Sequence, residues 1–287
     1  MATLSAEVVA AANAQSRRLR ELLHAPRILV MPGAYDVLSA RLFEAVGFPA
    51  IQGTSGGIAA IYGLYDEELL GRERTAAIYR EMAAAVSVPV NADGEKGYGG
   101  PDEMAETVRQ LVAAGVAGMN LEDSDYHPHG TPMTLLSLDD QLAKLRAVMA
   151  AKRELGSEFF VNARVDVFGT VPEHRDGMDE AIRRGNAYAE AGADCIFIFR
   201  PGDATTIGTL VREIHAPLSV LAMDDTPPVP ELEALGVARV SYGAAFTRYA
   251  ITAVKRLAAE LLASGDPRPL LRESMPRAEF LALLRGD

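Results

Sequence analysis

The sequence predicts an α/β fold of one kind, a single (β/α)8 TIM-type barrel, with a helix added before the first strand and a helical extension after the last. Three observations predict it. A helix end, a glycine and an immediate apolar run recur together four times, around Gly47, Gly115, Gly192 and Gly236. Eight short apolar runs alternate with helical segments, the pattern of a parallel sheet wound by crossovers. Acids, glycines and an arginine follow so many of those runs that a closed barrel, whose strand ends meet at one mouth, explains them best. A doubly wound open sheet is the alternative, and it leaves that last pattern unexplained.

Residues 3–24 read as the added helix, capped by Ser5, with Val8, Val9, Ala12, Leu19, Leu22 and Leu23 on an uneven apolar face. Strands are expected near residues 28, 50, 89, 119, 160, 196, 219 and 240. Each recurring glycine suits the left-handed conformation that closes a helix, and the apolar run after it suits a strand buried on both faces. Helices are expected over 102–114, 138–155, 178–191 and 245–263. The stretch 264–269, with Gly265, Pro267 and Pro269, reads as a linker. An amphipathic helix follows over 277–284, whose apolar face packs either on its own barrel or on a neighbouring subunit. Residues 1–287 therefore read as one domain, with 264–287 as its extension.

A length of 287 residues suits a barrel, which typically takes about 250. Hydrophobic residues at 49% and charged residues at 23% provide for a sizeable core. The 28 basic and 39 acidic residues leave a net charge of −11 with no basic cluster, which argues against nucleic acid and anionic membrane as partners. Cys195 is the sole cysteine and lies in an apolar run, where it reads as a buried structural thiol. No stretch approaches the ~20 apolar residues of a membrane span, and Glu7, Arg17, Arg18 and Arg20 stand where a signal peptide would be apolar. A soluble cytoplasmic protein is the expectation.

The stretch from Val90 to Gly100 is the centre of the functional reading. A buried strand ends in Asp93 and Glu95, and four glycines fall between positions 94 and 100, so two carboxylates are delivered into a tight loop. Mg²⁺ prefers one or two carboxylates completed by waters and substrate oxygens, which such a pair can supply, and Mn²⁺ is an alternative ion. The second strand ends in Gln52-Gly-Thr-Ser-Gly-Gly57, where the Thr54 and Ser55 hydroxyls and the N–H groups around Gly56 and Gly57 suit a carboxylate or enolate oxygen. The fourth ends in Glu122-Asp123 and the fifth in Asn162-Ala-Arg-Val-Asp166. Arg164 has the residue type for bidentate clamping of a substrate carboxylate, or it neutralises Glu122. Acids for a cation, an arginine and a hydroxyl-rich turn together suit an enolate formed on a 2-oxo acid.

These strand ends resemble the isocitrate lyase and phosphoenolpyruvate mutase superfamily. The likeness runs from Leu29 to Arg248 and rests on Pro32-Gly33-x-x-Asp36-x-x-Ser39-Ala40, Gly56-Gly57-x-Ala59-Ala60, Asp93-x-Glu95-x-Gly97-Tyr98-Gly99, Leu121-Glu122-Asp123 and Asn162-Ala163-Arg164-x-Asp166. It implies a Mg²⁺-dependent barrel that handles a pyruvate-like enolate of a small carboxylate, as a homodimer or homotetramer in which the terminal helix is exchanged between subunits. By position, Asp93 would bind the metal, Glu95 and Glu122 would act mostly through water, and Asp66 matches a further acid of the metal environment. Thr54, Ser55, Gly56 and Arg164 would hold the pyruvyl group, and Arg248 matches an arginine that binds the distal carboxylate in the lyases.

The departures concern the subfamily. Glu95 stands where the superfamily commonly has aspartate. Residues 124–133 carry neither the Lys-x-Cys-Gly-His motif of the lyases nor the Lys and Asn-Ser of the mutases, and Phe199 stands where the mutases have a histidine. Tyr126, His127 and His129 are the proton carriers of that loop, and His127, with Glu122 and Arg164, is the catalytic candidate. A Mg²⁺-dependent lyase acting on a 2-hydroxy or 2-oxo acid through a pyruvate-like enolate is the reading that follows. Phosphonopyruvate or phosphoenolpyruvate mutase or hydrolase chemistry, oxaloacetate decarboxylation, and a non-catalytic 2-oxo acid binder are the alternatives.

Overall fold

The structure is a computed structural model that describes residues 4–125, 133–170 and 174–285. It opens with α1 (Ala6–Leu23), whose first turn is capped by the Ser5 hydroxyl accepting from the Val8 N–H at 3.3 Å. The first barrel strand is broken by Pro32, which has no N–H to give a ladder, into β1 (Leu29–Met31) and β2 (Gly33–Ala34). The other barrel strands are β3 (Ile51–Gly53), β4 (Val90–Asp93), β5 (Gly118–Glu122), β8 (Phe160–Val165), β9 (Cys195–Ile198), β10 (Leu218–Leu221) and β11 (Arg239–Ser241). Beyond β5, β6 (Ser124–Asp125) and β7 (Thr134–Leu135) make a small antiparallel pair.

All the barrel pairings are parallel, in the order β1-β11-β10-β9-β8-β5-β4-β3-β2. The two edges of that sheet are the two halves of one strand on either side of Pro32, so nine segments close into the expected eight-stranded barrel. Crossovers are made by α2 (Val37–Val46), α4 (Arg72–Ala85), α5 (Met104–Ala113), α6 (Leu138–Leu155), α8 (His174–Glu190), α9 (Ala204–Glu213) and α10 (Val229–Leu235), and α11 (Ala245–Ser264) follows the last strand. Short helices α3 (Ser55–Ile61) and α7 (Val167–Thr170) start directly on the ends of β3 and β8. The four recurring glycines have φ of 105°, 80°, 104° and 93°, the left-handed closure their sequence context predicts.

The barrel interior is layered. At its amino-terminal end Leu19 and Leu23 of α1 pack into one buried cluster with Leu29, Ala50, Ala117, Phe160 and Cys195. Ser16 donates to the Ala117 carbonyl at 2.7 Å, and Asn13 bridges the Gly156 carbonyl and the Glu158 N–H. The added helix is thus a plug. Above this apolar layer lies a polar one, Gln52, Asn91, Asn120, Asn162, Ser219 and Arg239, every member buried. The apolar runs did not suggest it. Above that is the mouth.

One boundary departs from the sequence expectation. The stretch read as a linker leads at once into α12 (Arg268–Glu273), because Pro267 and Pro269 occupy helix-start positions, where a missing N–H costs nothing. The last helix, α13 (Arg277–Arg285), lies on α2 of its own chain, with Arg41 donating to the Leu283 carbonyl at 3.2 Å and also to that of Leu284. Among the described residues no helix is long and apolar enough to cross a membrane.

Candidate active site

Strand alternation sends Asp93, Glu122 and Arg164 inward at the carboxyl ends of β4, β5 and β8. Asp93 and Arg164 border a cavity of about 310 Å³, lined by Gln52, Thr54, Ser55, Gly56, Asp66, Asp93, Asn120 and Arg164 on one side. Met133, Phe197, Phe199, Leu221 and Ala244 give the cavity an apolar wall.

Asp93 is buried. Its Oδ2 accepts from the Ser55 hydroxyl at 2.8 Å and the Ser55 N–H at 3.3 Å, at the first turn of α3, while its Oδ1 is buried with no hydrogen-bond partner. Thr54 caps α3 through the Gly57 N–H, at 3.4 Å. The glycines of this turn are a matter of space: a Cβ at Gly56 would lie 2.9 Å from the Asp66 carboxylate, and one at Gly57 would lie 2.6 Å from Thr247 Oγ1. Asp66 therefore reaches the cavity over a glycine.

Glu95 and Glu122 do not line the cavity. Glu95 sits at φ 46°, its Oε2 accepting the Glu68 N–H at 2.6 Å and its Oε1 the Tyr98 hydroxyl at 3.0 Å. Glu122 accepts from Arg164 Nη1 at 2.6 Å and from the Ser124 hydroxyl at 3.0 Å. Arg164 also donates from Nε and Nη2 to Asp166 Oδ1, at 3.0 and 2.7 Å, and its guanidinium lies 4.2 Å from the centre of the Phe199 ring. It neutralises Glu122 and borders the cavity at once. Beside this site Asp123 accepts from the Asp166 N–H, Arg184 and Tyr188, and Arg184 also holds the Leu136 carbonyl at 2.8 Å.

The electrostatics are those of crowded acids. Burial, then the charges of Asp93 and Glu122, push Asp66 up to about 7. Burial, then Glu122, push Asp93 up to about 6, against the pull of Arg164. Burial, then Asp66 and Asp93, push Glu95 up to about 9. Among the described residues no three Asp, Glu, His or Cys side chains form a cage that holds a metal alone. Two buried carboxylate oxygens here lack a partner, Asp93 Oδ1 and Asp166 Oδ2, and that of Asp93, which lines the cavity amid mutually repelling acids, fits a hard divalent ion that takes few protein ligands and fills its shell with water and substrate oxygens.

Of the other residues expected at the site, Arg248 is exposed on α11 and does not line the cavity. Tyr126, His127 and His129 lie outside the described residues. Asn120, Phe197, Leu221 and Ser241 line the cavity without having been expected to. A signal for the layer beneath the mouth was present in the spacing. Gln52, Asn91, Asn120, Asn162 and Arg239 each stand two residues before Thr54, Asp93, Glu122, Arg164 and Ser241, so each faces inward one layer below.

The family model described as phosphoenolpyruvate phosphomutase matches residues 19–262. The chain belongs to that family, within the phosphoenolpyruvate mutase/isocitrate lyase superfamily, and is an enzyme of it. It is 29% identical to the 2-methylisocitrate lyase of Bacillus subtilis, over 93% of this chain and 87% of that protein. It is also 29% identical to the phosphonopyruvate hydrolase of Variovorax sp., over 95% of both chains. The crystal structure of a 2,3-dimethylmalate lyase superposes with a TM-score of 0.83 at 27% identity, covering 94% of this chain and 93% of that one.

Proposed function

We propose that this enzyme is a Mg²⁺-dependent lyase that cleaves or forms a carbon–carbon bond of a 2-hydroxy or 2-oxo acid through a pyruvate-like enolate. The observation that carries the reading is Asp93, whose unpartnered Oδ1 sits among acids that hold one another above their ordinary range. Asp93 would hold the cation, with Asp66, Glu95 and Glu122 around it. When bound, the ion supplies positive charge that polarises the substrate carbonyl and stabilises the enolate oxygen. The Thr54 hydroxyl and the Gly56 N–H receive the substrate carboxylate beside Ser55, whose hydroxyl and N–H are given to Asp93, and Arg164, held by Glu122 and Asp166, fixes its plane. The names of both the lyase and the hydrolase relatives are compatible with such a site. Phe197, Phe199, Leu221 and Met133 favour the lyase, because a phosphonate would find no charge on that wall. The proton donor in this reading is His127.

A panel of 2-hydroxy diacids, oxaloacetate and phosphonopyruvate, assayed with Mg²⁺, tests the proposal. Cleavage of a hydroxy acid to a 2-oxo acid is expected, and phosphate release from phosphonopyruvate alone overturns the lyase reading. Arg164→Lys is expected to raise KM roughly tenfold with a smaller change in kcat, since an ammonium keeps the charge but cannot serve Glu122, Asp166 and substrate through a planar fork. Steady-state kinetics on the panel substrate checks this, and an unchanged KM removes Arg164 from substrate binding.

A further inference from the structure

The layer beneath the cavity is organised around a cation. Arg239 on β11 is fully buried, with Nη2 donating to Gln52 Oε1 and with Nε and Nη1 meeting no partner. Burial lowers it to about 10, opposed by Cys195 and Asp93, so it remains charged at neutral pH. A guanidinium only donates, so the Gln52 atom that faces it must be the amide oxygen. The same oxygen accepts from Asn91 Nδ2 at 2.9 Å, and that nitrogen also donates to Asn120 Oδ1 at 3.0 Å. Asn162 Nδ2 donates to the same Asn120 oxygen at 2.8 Å.

The sequence of constraints begins at Arg239 and is reinforced by two backbone carbonyls, Gly53 accepting from Gln52 Nε2 at 2.7 Å and Ala92 from Asn91 Nδ2 at 3.2 Å. It ends at Asn120, whose acceptor is taken up by two amide donors, and Asn120 lines the cavity. What it has left is its NH₂. The layer accepts a cost for this arrangement, because Asn91 Oδ1 and Asn162 Oδ1 are buried with no partner. The opposite orientation of Asn120 would set a second acceptor beside Asp93, where a 2-oxo acid has only oxygens to offer.

We infer that Asn120 is a substrate-binding hydrogen-bond donor on the cavity floor, directed at a carboxylate or enolate oxygen, and that Arg239 is a positioning residue that fixes its orientation through Gln52 and Asn91. This inference rests on the enolate reading of the cavity and adds to it a donor and a cation below the floor. It also gives a buried arginine a role where an aliphatic side chain would pack: its charge sets the polarity of the row of amides together with the Gly53 and Ala92 carbonyls.

Calorimetric titration of the full chain with oxalate, a planar dianion that mimics enolpyruvate, in the presence of Mg²⁺ tests it. Asn120→Leu is expected to weaken oxalate about tenfold. Arg239→Met is expected to weaken it in the same direction, the double variant to bind no worse than Asn120→Leu alone, and Arg239→Lys, which keeps a donor cation facing Gln52, to bind close to wild type. A purely structural Arg239 would give losses that multiply in the double variant. Should Arg239→Met fail to fold, Asn91→Leu interrupts the chain one residue nearer the cavity and carries the same expectation. Wild-type binding that Asn120→Leu leaves unchanged, or losses that multiply, overturn the inference alone. A wild-type protein that ignores oxalate with Mg²⁺ overturns the enolate reading and this inference with it.

Discussion

Asp93→Ala is expected to lower turnover by at least ~10²-fold and to leave the protein folded, comparable in size to the loss of one preorganised oxyanion partner. The residue is buried at the end of β4, and one of its oxygens is held by both the hydroxyl and the N–H of Ser55. Its other oxygen has no partner within the protein. Removing the side chain removes the carboxylate that would hold the cation, and with it the main electrostatic partner of the developing enolate. The same change relieves Asp66 and Glu95, both of which are pushed up in part by the Asp93 charge. A melting temperature equal to or above wild type should therefore accompany the loss of activity, although Ser55 gives up an acceptor. Turnover at limiting Mg²⁺ and a thermal melt in the same buffer check both halves. Wild-type turnover in this variant would move the cation to another strand end.

The second large effect is on stability against pH. Asp66 at about 7, Asp93 at about 6 and Glu95 at about 9 all lie above their ordinary values, so the folded chain binds more protons than the unfolded chain between roughly pH 4 and 9. Stability follows the difference in bound protons, unfolded minus folded, which is negative across that window, so it must fall as pH rises. The three groups repel one another and do not add independently. A loss on the order of 3 kcal/mol between pH 5.5 and 8.5 is the expected scale, which for a chain of this size is a drop in melting temperature of roughly 6–12 °C without metal. Mg²⁺ should reverse most of this drop at pH 8.5 and do little at pH 5.5, where protons already neutralise the acids. A melting temperature that stays flat or rises with pH, or an equal Mg²⁺ effect at both values, would show that these carboxylates do not form one electrostatic unit.

The barrel and the mouth acids were legible because both are written in local pattern. A glycine that must adopt positive φ after a helix, followed by a strand too apolar for water, recurs often enough to count. Asp93, Glu122 and Arg164 stand where those strands end. Asp66 is joined to them only through space, over Gly56, and the likeness to a superfamily was needed to single it out. The polar layer was missed for a different reason. Judged by hydropathy, Asn91, Asn120 and Asn162 look like the frayed ends of apolar runs. Their inward direction becomes evident only when each is counted back two residues from the mouth residue above it. Arg248 was singled out by its position in the resemblance, and in the fold it is exposed on α11 beside the buried Thr247.

The plug made by α1 has a kinetic consequence. With Leu19 and Leu23 filling the lower end and the amide row spanning the middle, the described residues close the barrel beneath the cavity. If the enzyme is the lyase proposed above, the two fragments it makes at the bottom of the cavity leave past the same mouth. The fragment seated against Asp93 and Asn120, just above the amide row, is then expected to depart last and the other first, so that release is ordered by depth. In product-inhibition kinetics the deep fragment, whose departure restores the empty enzyme, competes with substrate, and the outer fragment inhibits non-competitively.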